Sequence, residues 1–471
     1  MRRPGCPEYS SLIHALQSSS KDEWCYIAEG GAHVLMAYIG AHPLLLGMAL
    51  RLRKADRAMA EGEAKYVAQV MEPLLGKVYT GSQKHMPVRL GEDQVQMLQE
   101  RCHEFRPEER RACDSSCDRE CWCCWGMLEP NFCTIWLESN TISTSTAMPV
   151  VTLEVKPKRG CMPSTMLLDP AGAALKRSVP RFQAMQLHKL LQELKGGCPQ
   201  PWGFMGQLTR YSPLDLFSGE REGIEAALHH LMGNPLNKLK LFVNGSLQHG
   251  SGCTWTSQEA EAIQAALPSL GAGAGGTGSD LCALWAEILW REPLLHQLLQ
   301  VQQLDVLDVE GAVAVLGRMT DLLEGDEEGC LRMLQDQQGN LTAAALQDAC
   351  LRFAGLLYTT NPGLEDEDEA ASWRAAGDVV SRLALDDCAG LLQAWLTAQA
   401  ASDCSLMLTL REGAEHREEE ASHWRGQTSM RCGQLGLIEY CLGVVDIAPK
   451  HPCKIAKKGK EEEKVWESVK E

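Results

Sequence analysis

An α+β protein with two lobes is the fold class this chain predicts, and three observations predict it. The chain has 471 residues, about three times the length of a usual single domain, so more than one hydrophobic core is expected. Up to residue 160, short apolar runs alternate with glycine, proline and charge, as short strands and helices do. Beyond residue 281, leucine- and alanine-rich stretches with helical spacing dominate until strand-like segments return near the end.

Taken in order, residues 1–23 are polar and turn-rich and read as a flexible N-terminal arm. The N-terminal lobe, 24–128, carries the apolar runs Val34 to Tyr38 and Leu44 to Leu52 and a helical period over 63–75. An intervening region, 129–180, contains a strand at 150–156. The larger lobe, 181–453, opens with helical periods over 181–195 and 221–232. Gly271 to Gly278 reads Gly-Ala-Gly-Ala-Gly-Gly-Thr-Gly, which loses maximal backbone entropy on ordering, so a flexible loop over 271–278 is expected. Helical spacing continues through 281–360 and 370–402, the second with an amphipathic stretch at 386–400. An acidic loop, 361–370, separates them. Strands follow at 404–410 and 435–445, and 454–471 reads as a charged tail.

Composition excludes several function classes. The formal net charge is −17, so broad electrostatic wrapping of nucleic acid is not expected, although a local basic pocket is compatible with it. The best approach to a membrane span, Val34 to Leu50, is interrupted by His42 and Pro43, so no membrane partner is expected. No apolar segment follows Met1-Arg2-Arg3-Pro4, so no secretory leader is read there. The 20 cysteines spread from Cys6 to Cys453, which favours free thiols in a reducing compartment and a cytoplasmic or nuclear location. Zinc at Cys113, Cys117, Cys121 and Cys124 is chemically feasible. The spacing lacks paired Cys-x-x-Cys knuckles, so free thiols are preferred there as well. A monomer is the simplest expectation.

Neither a Gly-x-x-x-x-Gly-Lys-[Ser/Thr] loop nor a His-Arg-Asp plus Asp-Phe-Gly pair is present. The segment that stands out is Val151-Thr152-Leu153-Glu154-Val155-Lys156-Pro157-Lys158-Arg159-Gly160. In an extended chain, Val151, Leu153 and Val155 share one face while Glu154, Lys156 and Lys158 share the other. Periodicity alone makes this the wet face of an edge strand, where Pro157 is tolerated.

Glu154-Val155-Lys156-Pro157-Lys158 also resembles the Glu-x-Lys-Pro-Lys signature of the inositol-pentakisphosphate 2-kinases, and further blocks resemble that family in the same order. Trp24 to Ala32 resembles its glycine-bearing N-terminal loop, and Leu50 to Lys54 the strand after it. Arg106-Pro107-Glu108-Glu109-Arg110 is similar to its Arg-Pro-x-x-Arg, and Arg210 to Gly219 to its Tyr-x-Pro-Leu-Asp-Leu-[Phe/Tyr]-Ser-Gly block. Leu304 to Gly311 and Ser402 to Met407 complete the series.

The resemblance implies a two-lobed kinase-like α+β fold, with an antiparallel sheet in the N-lobe and a larger mixed α/β C-lobe. It implies transfer of the ATP γ-phosphoryl group to the 2-hydroxyl of inositol 1,3,4,5,6-pentakisphosphate, giving inositol hexakisphosphate, with magnesium as cofactor. Five phosphates at about −1.5 to −2 each demand a concentrated cationic pocket in an acidic protein. Carried over by position, Arg110, Lys158, Lys189, Asn237, Lys450 and Lys454 are the substrate contacts. Glu29, Gly30, Gly31 and Ala32 would cover the nucleotide phosphates through backbone N–H groups, with Arg51 beside them. Glu129 and Asn131 fall at the interlobe hinge, where backbone groups would meet adenine, and Glu154 and Lys156 are further nucleotide-side residues. Asp403 would accept or orient the hydroxyl proton, alongside Lys158, and Asp446 would hold magnesium. Read singly, each of these acids is equally a helix or strand terminus, Lys189 an exposed helix lysine, and Lys450 and Lys454 part of a basic tail.

Three departures from the family pattern stand out. In Asp446-Ile447-Ala448-Pro449-Lys450-His451-Pro452-Cys453-Lys454, Pro449 precedes the lysine and Lys454 replaces an arginine, which loses a bidentate fork. Lys458 stands where plant members have tyrosine, and Met185 where relatives carry histidine. The cysteine cluster at 113–124 is the third. Two further readings stay open: a kinase acting on a different inositol hydroxyl, and a non-catalytic inositol-phosphate-binding or scaffold protein of the same fold.

Overall fold

The computed structural model describes residues 7–29, 33–53, 58–81, 86–106, 124–133, 149–163, 167, 170–195, 209–235, 239–249, 261, 265, 267, 277–360, 369–412, 427–431 and 437–470. They form an α+β structure with two antiparallel sheets.

The first sheet comprises β1 (Trp24–Glu29), β2 (His33–Tyr38), β3 (Met48–Arg53), β4 (Met86–Arg89) and β5 (Trp125–Pro130), in the order β1-β2-β3-β5-β4. Strand alternation puts Val34, Met36 and Tyr38 of β2 and Leu50 and Leu52 of β3 into one core with Val88 and Leu128. The expected N-terminal arm is a helix from Pro7 to Ser18. Leu12, Ala15 and Leu16 recur at helical spacing and are buried in this core, and Gln94 donates to the Leu16 carbonyl at 2.8 Å. Polar residues dominate the segment, but these few apolar positions suffice to dock it.

The second sheet comprises β6 (Val151–Val155), β7 (Leu239–Val243), β8 (Ser246–His249), β9 (Ser405–Glu412), β10 (Gln427–Arg431) and β11 (Leu437–Val445), in the order β10-β11-β9-β6-β7-β8. β6 therefore has partners on both sides, β7 and β9, and all five of its residues are buried. This overturns the edge-strand reading. The alternation is as expected, but the polar face is covered too: Thr152 meets Thr409 at 2.9 Å. Pro157 lies beyond the strand, where it costs no ladder bond.

Helices surround this sheet. The helix Leu385–Asp403 is buried on nearly every side from Cys388 to Ala401, so it is a central helix and not the amphipathic one expected. The 454–471 stretch, expected as a charged tail, is the helix Lys454–Lys470. Ile455, Val465 and Trp466 are buried, and Glu462 accepts from Trp466 Nε1 and Arg181 Nε, both at 2.6 Å. Most of its lysines and glutamates cover the outer face, which conceals the apolar stripe in a composition count. Of the glycine-rich 271–278 stretch, Thr277 and Gly278 begin the helix Thr277–Arg291 and the rest lies outside the described residues. Of the acidic loop 361–370, residues 361–368 lie outside them, and Glu369 opens the helix Glu369–Arg382.

Two features join the halves of the chain. Between β3 and β4, residues 58–80 are helical apart from a break at Gly76, and Tyr66, Val70, Met71, Leu75 and Tyr79 share a core with Leu153, Trp285 and Leu406 of the later chain. Sequence order had grouped them with the first sheet. Tyr66 Oη donates to Thr397 Oγ1 at 2.9 Å, and Tyr79 and Tyr440 both donate to Glu292, at 2.6 and 2.7 Å. After β5 the chain crosses at Asn131-Phe132-Cys133, where Phe132 and Cys133 pack on Phe242 and Met407 of the second sheet. Among the described residues no helix is long and apolar enough to cross a membrane, and every described cysteine is a free thiol.

Candidate active site

The register of the three central strands brings distant stretches together. Val155 of β6 pairs with Leu406, and Val445 of β11 pairs with Ser405. The end of β6, the start of β9 and the end of β11 therefore share one edge of the sheet. Beyond that edge lie Lys156 to Gly160, Asp403 with Cys404, and Asp446 to Lys450.

Asp403 sits at the centre. Lys158 Nζ lies 3.3 Å from its Oδ1 and Lys450 Nζ 3.5 Å from its Oδ2. Burial opposes its ionisation, but Lys158, Lys458 and Lys450 outweigh that and hold the carboxyl well below the usual carboxylate range. Its side chain keeps 42% exposure, enough for a ligand to reach it.

Lys158 and Asp446 adopt left-handed backbone conformations, with φ of 63° and 62°, which non-glycine residues avoid unless their surroundings impose them. Around Lys158 those surroundings are explicit. Tyr211 Oη donates to the Pro157 carbonyl at 2.6 Å. Gln302 donates to the Lys158 carbonyl at 2.9 Å and accepts from Gly160 N at 2.7 Å. Arg159 pairs with Asp305 at 2.7 Å and Asp308 at 3.2 Å. A Cβ on Gly160 would lie 2.0 Å from the Phe217 ring, so only glycine allows this approach. The Arg210 to Gly219 and Leu304 to Gly311 blocks thus act as the clamp on the lysine loop.

The other expected residues divide into groups. Lys189 is exposed on the helix Arg181–Leu194, and partial desolvation together with nearby Lys158 lowers its pKa. Lys454 is exposed at the start of the helix Lys454–Lys470. Lys156 is half-buried at the exit of β6, and Asp446 is exposed. The Glu154 carboxylate is engaged by Lys240 and Ser405, each at 2.9 Å, so it braces β6 against β7 and β9. Arg51 lies 3.4 Å from Glu129, both are nearly buried, and the Asp446 charge acts on both. Burial raises the Glu129 carboxyl, which Arg51 only partly offsets. Asn131 is buried and its side chain accepts from Cys133 N at 3.0 Å. The Glu29 carboxylate accepts from Arg106 Nε and Nη2, at 2.6 and 2.7 Å. Gly30, Gly31, Ala32, Arg110 and Asn237 lie outside the described residues, as do Cys113, Cys117 and Cys121 of the cysteine cluster.

Sequence reasoning noted Lys458 as a departure but gave it no role in the site. Its ammonium donates to Gln399 Oε1, lies 6.0 Å from the Trp395 ring centroid, and acts on Asp403. Burial first, then Arg181, push its pKa down to about 8. The available signal was the spacing of Lys454 and Lys458, four apart and so on one helical face.

Among the described residues no three His, Cys, Asp or Glu side chains gather as a metal cluster. The exposed Asp446 carboxylate suits a hard cation that takes one or two protein carboxylates and completes its shell with water and phosphate oxygens. At an open sheet end an ionised acid can orient a hydroxyl while the ammonium groups on either side of it grip a polyanion.

Comparison with known proteins places this geometry in a family context. The family described as Inositol-pentakisphosphate 2-kinase matches residues 26–464. An inositol-pentakisphosphate 2-kinase of Arabidopsis thaliana is 26% identical over 344 residues, 63% of this chain and 70% of the relative. One of Oryza sativa subsp. indica is 25% identical over 333 residues, 63% and 69% of the two chains. One of Danio rerio is 24% identical over 468 residues, covering 86% of each.

Proposed function

The chain belongs to the inositol-pentakisphosphate 2-kinase family, and from that premise we propose that it transfers the γ-phosphoryl group of ATP to the 2-hydroxyl of inositol 1,3,4,5,6-pentakisphosphate, giving inositol hexakisphosphate and ADP. The observation that carries the reading is Asp403 held between Lys158 and Lys450 where three strands end. In this reading the structure works as a two-lobed kinase-like fold. The first sheet covers the nucleotide, with the chain crossing at 129–131 beside adenine.

Asp403 orients the acceptor hydroxyl and takes its proton as the oxygen attacks the γ-phosphorus. The bond from phosphorus to the ADP oxygen then breaks, and ADP leaves with that electron pair. Phosphoryl transfer makes modest demands on base strength and strong ones on alignment, so an acid kept ionised by neighbouring ammonium groups suits the task. Lys158 lies beside Asp403 and can neutralise the phosphoryl oxygens in flight, while Lys189, Lys450 and Lys454 grip the ring phosphates. Each charge-assisted hydrogen bond contributes about 1.5–3 kcal/mol, so several together offset the desolvation of so charged a substrate. Asp446 would hold magnesium, whose chemistry is to neutralise charge on the phosphates.

The test is incubation with ATP, magnesium and inositol pentakisphosphate, with product read by chromatography. Turnover is expected, and Asp403→Asn should reduce it about 100- to 10,000-fold while pentakisphosphate still binds. Binding without turnover in the native chain supports a scaffold instead, and a product phosphorylated elsewhere than the 2-position changes the acceptor.

A further inference from the structure

We propose that Lys458 is a positioning residue for the reaction, a cation that couples the terminal helix to the loop bearing Lys158 through Gln399 and Asp305 and adds its charge to those acting on Asp403. The inference rests on the proposed kinase reading for its activity arm only.

The geometry is a continuous polar chain. Arg159, next to Lys158, pairs with Asp305 Oδ2 at 2.7 Å. Gln399 Nε2 donates to that same oxygen at 3.2 Å. The other end of the Gln399 amide accepts from Lys458 Nζ. Each end of Gln399 is thus committed, its nitrogen toward the loop and its oxygen toward the terminal helix. Gln399 and Asp305 are both buried, so neither bond is readily replaced by water. Lys458 lies one turn into the terminal helix, Lys450 in the segment that precedes it, and the charges of both act on Asp403.

The charged groups facing Lys458 come from every side: Arg181 from the helix Arg181–Leu194, Asp403 from the central helix, Lys450 from the segment after β11, and Asp305 from the turn before the helix Asp308–Leu322. Two cations oppose its charge and two acids support it. Burial is the largest influence, so the ammonium is lost near neutral pH more readily than on a surface lysine. When it is lost, Asp403 keeps Lys158 and Lys450 but loses the charge of Lys458, and the Gln399 bridge loses its cationic donor.

This assigns opposite pH dependences to activity and stability. The productive form has Lys458 protonated, so kcat/KM of the free enzyme falls as pH rises through about 8. Between about 8 and the ordinary lysine value of 10.5, the unfolded chain binds more protons than the folded one. The Lys458 contribution to stability therefore rises with pH across that window.

The experiment compares native protein, Lys458→Met and Lys458→Arg from pH 6.5 to 10. Lys458→Met is expected to lower kcat/KM about tenfold at pH 7 and to abolish the alkaline fall, while Lys458→Arg moves that fall upward in pH because guanidinium stays charged. An alkaline limb unchanged in both variants overturns the proposal. Melting curves without substrate form the second arm. The melting temperature of the native chain should rise relative to Lys458→Met as pH goes from 8 to 10, and parallel curves also overturn it. If the native chain turns over no pentakisphosphate, the kinase reading fails, and the melting arm still decides whether Lys458 is the half-buried, destabilised cation inferred here.

Discussion

Lys158 has a backbone conformation that suits glycine and a side chain that glycine lacks. The loop is forced into that shape by Tyr211, Gln302 and the pair of Arg159 with Asp305, so the strain sits in the residue that reaches Asp403. Replacing Lys158 with Gly should therefore separate the two roles. The melting temperature is expected to hold or rise, because the positive φ is relieved, while kcat/KM falls about 10- to 100-fold through loss of the ammonium. A control, Lys65→Gly, on an exposed helix position should do the reverse, leaving activity intact while costing about 1 kcal/mol of helix stability. Equal losses of activity would remove Lys158 from the site. At this scale the sequence was legible where a motif supplied the residue: Lys158, Asp403 and Lys450, picked out separately by the family resemblance, lie together in the structure. Lys458 was not legible, because a lysine in a charged stretch reads as solvated until the packing of Gln399 and Trp395 is known.

Elements position these residues through close approaches that composition does not announce. The turn after β6 runs against Phe217, and Gly160 leaves no room for a methyl group. Gly160→Ala is expected to cost about 1–3 kcal/mol by overpacking, seen as a lower urea midpoint, and to weaken activity further by shifting Lys158. A midpoint equal to the native one would show that the loop gives way without consequence. Strand and helix positions were largely readable from apolar periodicity, as at 150–156, 181–195 and 221–232, because burial on one face leaves a period in the text. The environment of an element was not. β6 carries a polar face and is central, since Thr152 and Glu154 find partners on β9 and β7. The terminal helix is highly charged and docked, since one stripe of Ile455, Val465 and Trp466 is enough to hold it.

Across the whole molecule, the helical segment at 58–80 ties the early chain to the later core. Glu292 accepts from both Tyr79 and Tyr440, and burial holds the Tyr79 hydroxyl protonated well above its ordinary range. With that carboxylate shared between segments far apart in sequence, unfolding should be a single calorimetric transition. Glu292→Ala leaves two hydroxyls without their acceptor, at about 1–3 kcal/mol each, and is expected to lower the midpoint and broaden the transition. An unchanged melt would assign the coupling to apolar contacts alone. The net charge of −17 set an expectation against broad wrapping of nucleic acid but said nothing of where the lysines converge, since charge is a sum and a pocket is an arrangement. The order of elements, their periodicity and the family blocks determined an α+β chain with a lysine loop and two acids. Which strands would be neighbours, and hence that the ends of β6 and β11 and the start of β9 would share one edge, was decided only by the tertiary structure. Sheet pairing joins residues hundreds of positions apart, and its energy depends on register and packing that no local stretch of sequence contains.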